Sequence, residues 1–176
     1  MKMRILLVCC AALALTVGVA TATAGGGSNS ANALAKPQTF SLLSVESGSG
    51  TEIGGFGFQR EPAPGDRFTF TDQLYKWVGV KRGARVGHVD GLCTFTKINV
   101  TSNSFHATGQ CNATFFLPGG QVAVEGFIPF TEGPLNFVVP VIGGTGVYAN
   151  ARGTVHIRDL GNGDTGKSNN EFRLLP

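Results

Sequence analysis

The stretch CTFTKINVTSNSFHATGQC, Cys93 to Cys111, constrains this chain most. Two cysteines stand at equal distances from a polar centre, Thr101-Ser102-Asn103. Turn-forming residues between two alternating segments read as a β-hairpin. Antiparallel pairing about Ser102 sets Cys93 directly opposite Cys111. Facing Cβ atoms lie about 4.5–5.5 Å apart, which a small twist brings within disulfide reach. In the same register His88 opposes Phe116 and His106 opposes Ile98, so these two histidines do not meet.

The start of the chain supplies a compartment. Lys2 and Arg4 precede an uncharged, mostly apolar run from Ile5 to Val19, and Ala22-Thr23-Ala24 fits a small-x-small cleavage pattern. Residues 1–24 therefore read as a secretory signal peptide and lie outside the fold. The run falls short of the roughly 20 residues a spanning helix needs, so no membrane anchor is expected. Secretion favours the Cys93–Cys111 disulfide, because Cys9 and Cys10 leave with the signal and only one pair remains. Losing Lys2 and Arg4 also takes the net charge from +3 to +1. That balance gives no electrostatic footprint for nucleic acid.

Residues 25–36, GGGSNSANALAK, read as a flexible leader, and residues 37–176 as one domain. Twenty-six glycines and many β-branched residues leave no good helix from Pro37 onward. Eight short strands are expected: Thr39–Glu46, Asp66–Trp77, Arg85–Ile98, Ser104–Leu117, Gln121–Phe130, Leu135–Ile142, Ala151–Leu160 and the C-terminal NEFRLLP. Turn signals separate them, including Pro118-Gly119-Gly120 and Gly143-Gly144-Thr145-Gly146. The pattern fits an all-β, eight-stranded antiparallel up-and-down barrel, with a two-sheet sandwich as the alternative. Such a barrel is either solid or holds one small ligand. Phe68, Phe70, Asp72 and Leu74 fall on one face of the second strand. Asp72 is thus a carboxylate in an apolar row. Phe95 and Phe115 flank the disulfide on the same kind of face.

Four segments, GDRFTFTDQLY, GLCTFT, Gly-Gly-Gln-Val-Ala-Val-Glu-Gly and VIGGTGVYANARGTVHI, occur in this order. They resemble the allene oxide cyclase family and its relatives, the dirigent proteins and bacterial barrel-type cyclases. The resemblance spans Phe40 to the C-terminus. It implies an eight-stranded barrel with a largely apolar cavity, no cofactor, and dimers or trimers. It also implies a function, holding a flexible substrate in a reactive conformation. Asp72 stands where the plant cyclases carry an asparagine that holds a water over the substrate oxygen. Cys93 matches the family's Gly-Leu-Cys cysteine, and Glu46 lies near the family's first-strand glutamate. The surrounding SGSGTEIGG lacks the family's proline pattern, so allene oxide cyclisation itself is not expected.

The candidate catalytic residues are therefore Asp72 and Glu46. Phe68, Phe70, Phe95, Phe115, Glu125 and Tyr148 are the candidate ligand-binding residues. The expected partner is a small hydrophobic molecule. The glycine-rich GGTGVYA is read as a turn, because a strand and not a helix follows it. His88, His106 and His156 are scattered, and no metal is expected. Two classes of function stay open. One is a cofactor-free cyclase or stereochemical guide in which Asp72 polarises one ligand oxygen. The other is a secreted binder of hydrophobic molecules, or a structural barrel plugged by Phe68, Phe70, Phe95 and Phe115.

Overall fold

The computed structural model describes residues 36–48, 52–53, 62–78, 81–101, 104–162 and 165–176, with 52 and 53 described in backbone only. The expected signal segment, nearly all of the leader and the turn centre Ser102-Asn103 lie outside these residues. Among the described residues nine strands follow in order: β1 (Gln38–Gly48), β2 (Glu52–Ile53), β3 (Arg67–Val78), β4 (Lys81–Thr101), β5 (Ser104–Leu117), β6 (Gly120–Thr131), β7 (Asn136–Gly144), β8 (Arg152–Asp159) and β9 (Lys167–Leu175). Strands β3 to β9 form an antiparallel meander. β1 then pairs with both β9 and β3 and closes the sheet into an eight-stranded barrel. The seam between β6 and β7 is the shortest, pairing only Val122–Val124 with Val141–Gly144. The short β2, absent from the sequence reading, takes over pairing beside Phe68 and Arg67 where β1 ends.

The alternation read from the sequence decides what faces inward. Leu74, Val122, Val155 and Phe172 are fully buried, all with 0% exposure. They belong to one core cluster with Leu117, Val141, Ala151 and Leu174. These residues sit near the end of the barrel that carries the β5–β6 turn, and they fill it. Phe172 stacks on Phe40 at 4.6 Å and meets Phe115 edge-on at 4.9 Å.

The glycine-rich motif closes the same end. A single 3₁₀ turn, Gly146–Tyr148, precedes β8. Gly146 adopts φ 61°, and a Cβ there would lie 2.0 Å from the Gly119 carbonyl oxygen. Only glycine fits that left-handed, crowded position. No helix follows to cradle a phosphate.

The β4–β5 hairpin corrects the sequence reading in one detail. Cys93 does face Cys111, and His88 does face Phe116. Nearer the turn the register shifts by one residue at a bulge between Phe95 and Lys97. Thr101 consequently pairs with Ser104, and His106 faces Asn99, not Ile98. The bulge leaves Thr96 as the extra residue, and its Oγ donates to the Thr108 carbonyl at 3.0 Å.

Candidate functional site

Towards the other end the barrel is not filled. A cavity of about 200 Å³ lies there, and residues from every strand of the ring line it. Phe115 and the Cys93–Cys111 disulfide lie on the core side of this space. Phe70, Phe137, Val139 and Ile157 supply apolar wall. Phe68 and Phe130 also line the cavity, in an aromatic cluster with Phe95 at centroid distances of 5.4–5.5 Å. The four phenylalanines thus do not plug the barrel. Phe68, Phe70 and Phe115 form wall, while Phe95 packs against Phe68, Phe105 and Phe130 and is not part of the lining.

Gly91 decides where Phe70 rests. The two residues are cross-strand partners, and a Cβ at position 91 would come within 2.2 Å of the Phe70 ring. The tip of the ring therefore sits over the glycine. Gly91 opens the GLCTFT segment, and nothing in that segment alone gives it this role.

The opposite arc of the mouth is polar, and strand register builds it. Asp159 pairs with Ser168, Ser168 with Ser44, and Glu46 with Asp72. Ser44 Oγ donates to Asp72 Oδ2 at 2.6 Å. The Leu135 backbone N–H donates to Asp159 Oδ2 at 2.9 Å. Asn170 is buried on the same arc, and its Nδ2 donates to Ser168 Oγ at 3.4 Å. Glu46 is exposed and lines the outer mouth with Asp72, Asp159 and Lys167.

Burial pushes the Asp72 carboxyl above its ordinary range, since apolar surroundings disfavour the charged form. The Ser44 hydrogen bond opposes that rise, and the Glu46 and Asp159 charges add to it. Burial also raises Asp159, against the opposing Leu135 hydrogen bond. A raised carboxyl makes a contribution to stability that is complete below its ordinary value of 3.8. That contribution is lost as pH rises through the folded value. Asp72→Asn keeps an oxygen for Ser44 and removes the charge. The variant should gain stability relative to wild type as pH rises from about 3 to about 7 in urea unfolding. Parallel pH profiles would contradict a desolvated Asp72.

The sequence candidates divide clearly. Asp72, Phe68, Phe70 and Phe115 meet at the cavity, and Glu46 stands at its mouth. Glu125 does not belong there. Its neighbours Val122 and Val124 point inward, so it faces outward and accepts a hydrogen bond from Gln110 Nε2. Tyr148 lies at the filled end, packed against the core, where burial raises its hydroxyl. The sequence reading missed Ser44, Asp159, Ser168 and Asn170. The histidines stay apart: His88 stacks on Phe116 at 4.4 Å, and His156 Nε2 lies 2.6 Å from Asn136 Oδ1.

No protein-family profile and no curated protein matches the sequence. Solved structures do match. A pyocyanin demethylase is 27% identical with a TM-score of 0.56, over 78% of this chain and 100% of its own. AbnU, an exo-specific intermolecular Diels-Alderase, is 14% identical with a TM-score of 0.53, over 78% of this chain and 97% of its own. A pterocarpan synthase dirigent protein is 17% identical with a TM-score of 0.47, over 78% of this chain and 84% of its own. The chain shares its β-barrel fold with the demethylase and the Diels-Alderase.

Proposed function

As a dirigent/cyclase-like barrel, this protein, we propose, is secreted, binds a small hydrophobic molecule in its cavity, and guides that molecule's rearrangement without a cofactor. One observation carries this reading. An apolar cavity, filled off at one end, has a half-buried, desolvated carboxyl on its polar rim. The apolar wall sets the conformation of the bound molecule, which is where such a site gains most of its rate. Asp72 supplies the chemistry. Its raised carboxyl sits where it exchanges a proton with, or hydrogen-bonds to, the ligand's polar group. Ser44 holds one carboxyl oxygen and leaves the other for the ligand.

A carrier that performs no chemistry shares the same cavity. The two readings separate on Asp72→Asn. In an enzyme the variant lowers turnover by about 10²–10⁴-fold, the contribution of a positioned acid or base. In a carrier it changes affinity alone. Pyocyanin is one substrate to assay, because the neighbour at 27% identity is named for it and this chain covers that neighbour's whole length.

Occlusion tests the cavity itself. Ala113 lines it between the cross-strand partners Gly91 and Val124. Ala113→Phe places a ring in a space of about 200 Å³. Titration calorimetry with pyocyanin and with 1-naphthylmethanol should show affinity falling by about tenfold or more, equivalent to about 1.4 kcal/mol. Unchanged affinity for a probe that wild type binds would place its site elsewhere.

A further inference from the structure

The polar arc has an imbalance that bears on what the cavity accepts. Asp72 and Asp159 both line it, one from β3 and the other from β8. Along the sheet β8, β9, β1 and β3 are consecutive neighbours. At about 4.8 Å per strand the two backbones stand ~14 Å apart along the wall, and both side chains point inward across that arc. Each carboxyl has its Oδ2 engaged, by Ser44 and by the Leu135 N–H respectively. Among the described residues nothing donates to either Oδ1.

No lysine, arginine or histidine lines the cavity among the described residues. The groups facing the pair are Ser44 and Glu46 from β1, Ser168 and Asn170 from β9, and Lys167 at the outer mouth. Lys167 is exposed and already shares that mouth with the Glu46 carboxylate. The interior therefore holds two carboxyls and no countercharge. Apolar surroundings make an uncompensated carboxylate costly, and a cation brought to it there interacts more strongly than in water. A neutral ligand leaves that cost in place. A cationic one removes it.

We propose that the cavity selects apolar molecules carrying a protonated amine. The ammonium lies between Asp72 and Asp159, and the hydrocarbon body rests against Phe70, Phe115 and Phe137. This rests on the ligand-binding reading above and names its ligand class. A space of about 200 Å³ takes on the order of ten non-hydrogen atoms at interior packing density, which suits a bicyclic ring with a short amine arm.

Three probes of matched shape test it: 1-naphthylmethylammonium, 1-naphthylmethanol and 1-naphthoate, titrated calorimetrically into the oxidised mature protein at about pH 7 and low salt. The ammonium should bind about tenfold or more tightly than the alcohol, and the carboxylate weakest. Asp72→Asn and Asp159→Asn should each reduce the ammonium's advantage while leaving the alcohol bound. Glu46→Gln, on an exposed residue, should reduce it only about two- to threefold. Lowering the pH should weaken the ammonium and spare the alcohol, because protonation of Asp72 and Asp159 removes the attraction. An alcohol that binds as tightly as the ammonium overturns this proposal and leaves the cavity reading standing. Failure of all three probes overturns both.

Discussion

Phe172→Ala should lower the unfolding free energy by about 3–5 kcal/mol, the cost of deleting a fully buried aromatic ring. The side chain has 0% exposure, stacks on Phe40 and meets Phe115 edge-on. Its neighbours are inward residues of several strands, held by a closed hydrogen-bonded ring that cannot collapse around a void. The cavity term therefore adds in full to the lost burial. Phe70→Ala makes the contrast, since Phe70 is partly exposed and already borders empty space. Its loss should be well under half as large. Urea midpoints at constant slope check both variants. Equal losses would contradict a barrel filled at one end and open at the other.

Removing the disulfide has the next largest effect. Cys93 and Cys111 are 18 residues apart in sequence, and both are buried. Closing a loop of that size stabilises by about 3 kcal/mol in the chain-entropy account. The double variant Cys93→Ala/Cys111→Ala should lose about that much, with no hydroxyl left unsatisfied. Reductant should lower the melting temperature of wild type to near that of the variant, and leave the variant unchanged. A wild-type melting point insensitive to reductant would contradict the bond's contribution. The same bond lines the cavity, so the variant should also bind probes more weakly.

The strand order and the inward faces were legible because alternation is local. Phe68, Phe70, Asp72 and Leu74 declare one face within seven residues, and the structure keeps them together. The β4–β5 register was legible from its paired cysteines, up to the bulge. A single extra residue at Thr96 carries no strong sequence signal, so His106 was given the wrong partner. The outward side of Glu125 was also legible from alternation. Val122 and Val124 are apolar and in phase with each other, which already points Glu125 outward.

The polar arc was not legible, for a physical reason. Ser44 and Asp159 are separated by more than a hundred residues and meet through β9, which lies between β1 and β8. Alternation shows which face a residue takes, but not which distant strand closes the barrel or with what stagger. Asp159 ends β8 two residues before Gly161-Asn162, a place that carries no signal of its own in the sequence. Only the closed register reveals it as the second carboxyl of a cavity. Gly91 was hidden similarly. A glycine in a strand signals close approach, but its partner Phe70 is known only once β3 and β4 are paired.

The most direct test of the central claim is native mass spectrometry of the protein, purified oxidised and without denaturation from its own host. The account predicts a small apolar molecule travelling with the chain and absent from Ala113→Phe. The polypeptide itself should be about two daltons lighter than its reduced form, with the Cys93–Cys111 bond intact. A bare polypeptide that takes up neither pyocyanin nor either uncharged or cationic naphthyl probe would contradict the account and leave a barrel whose cavity holds nothing.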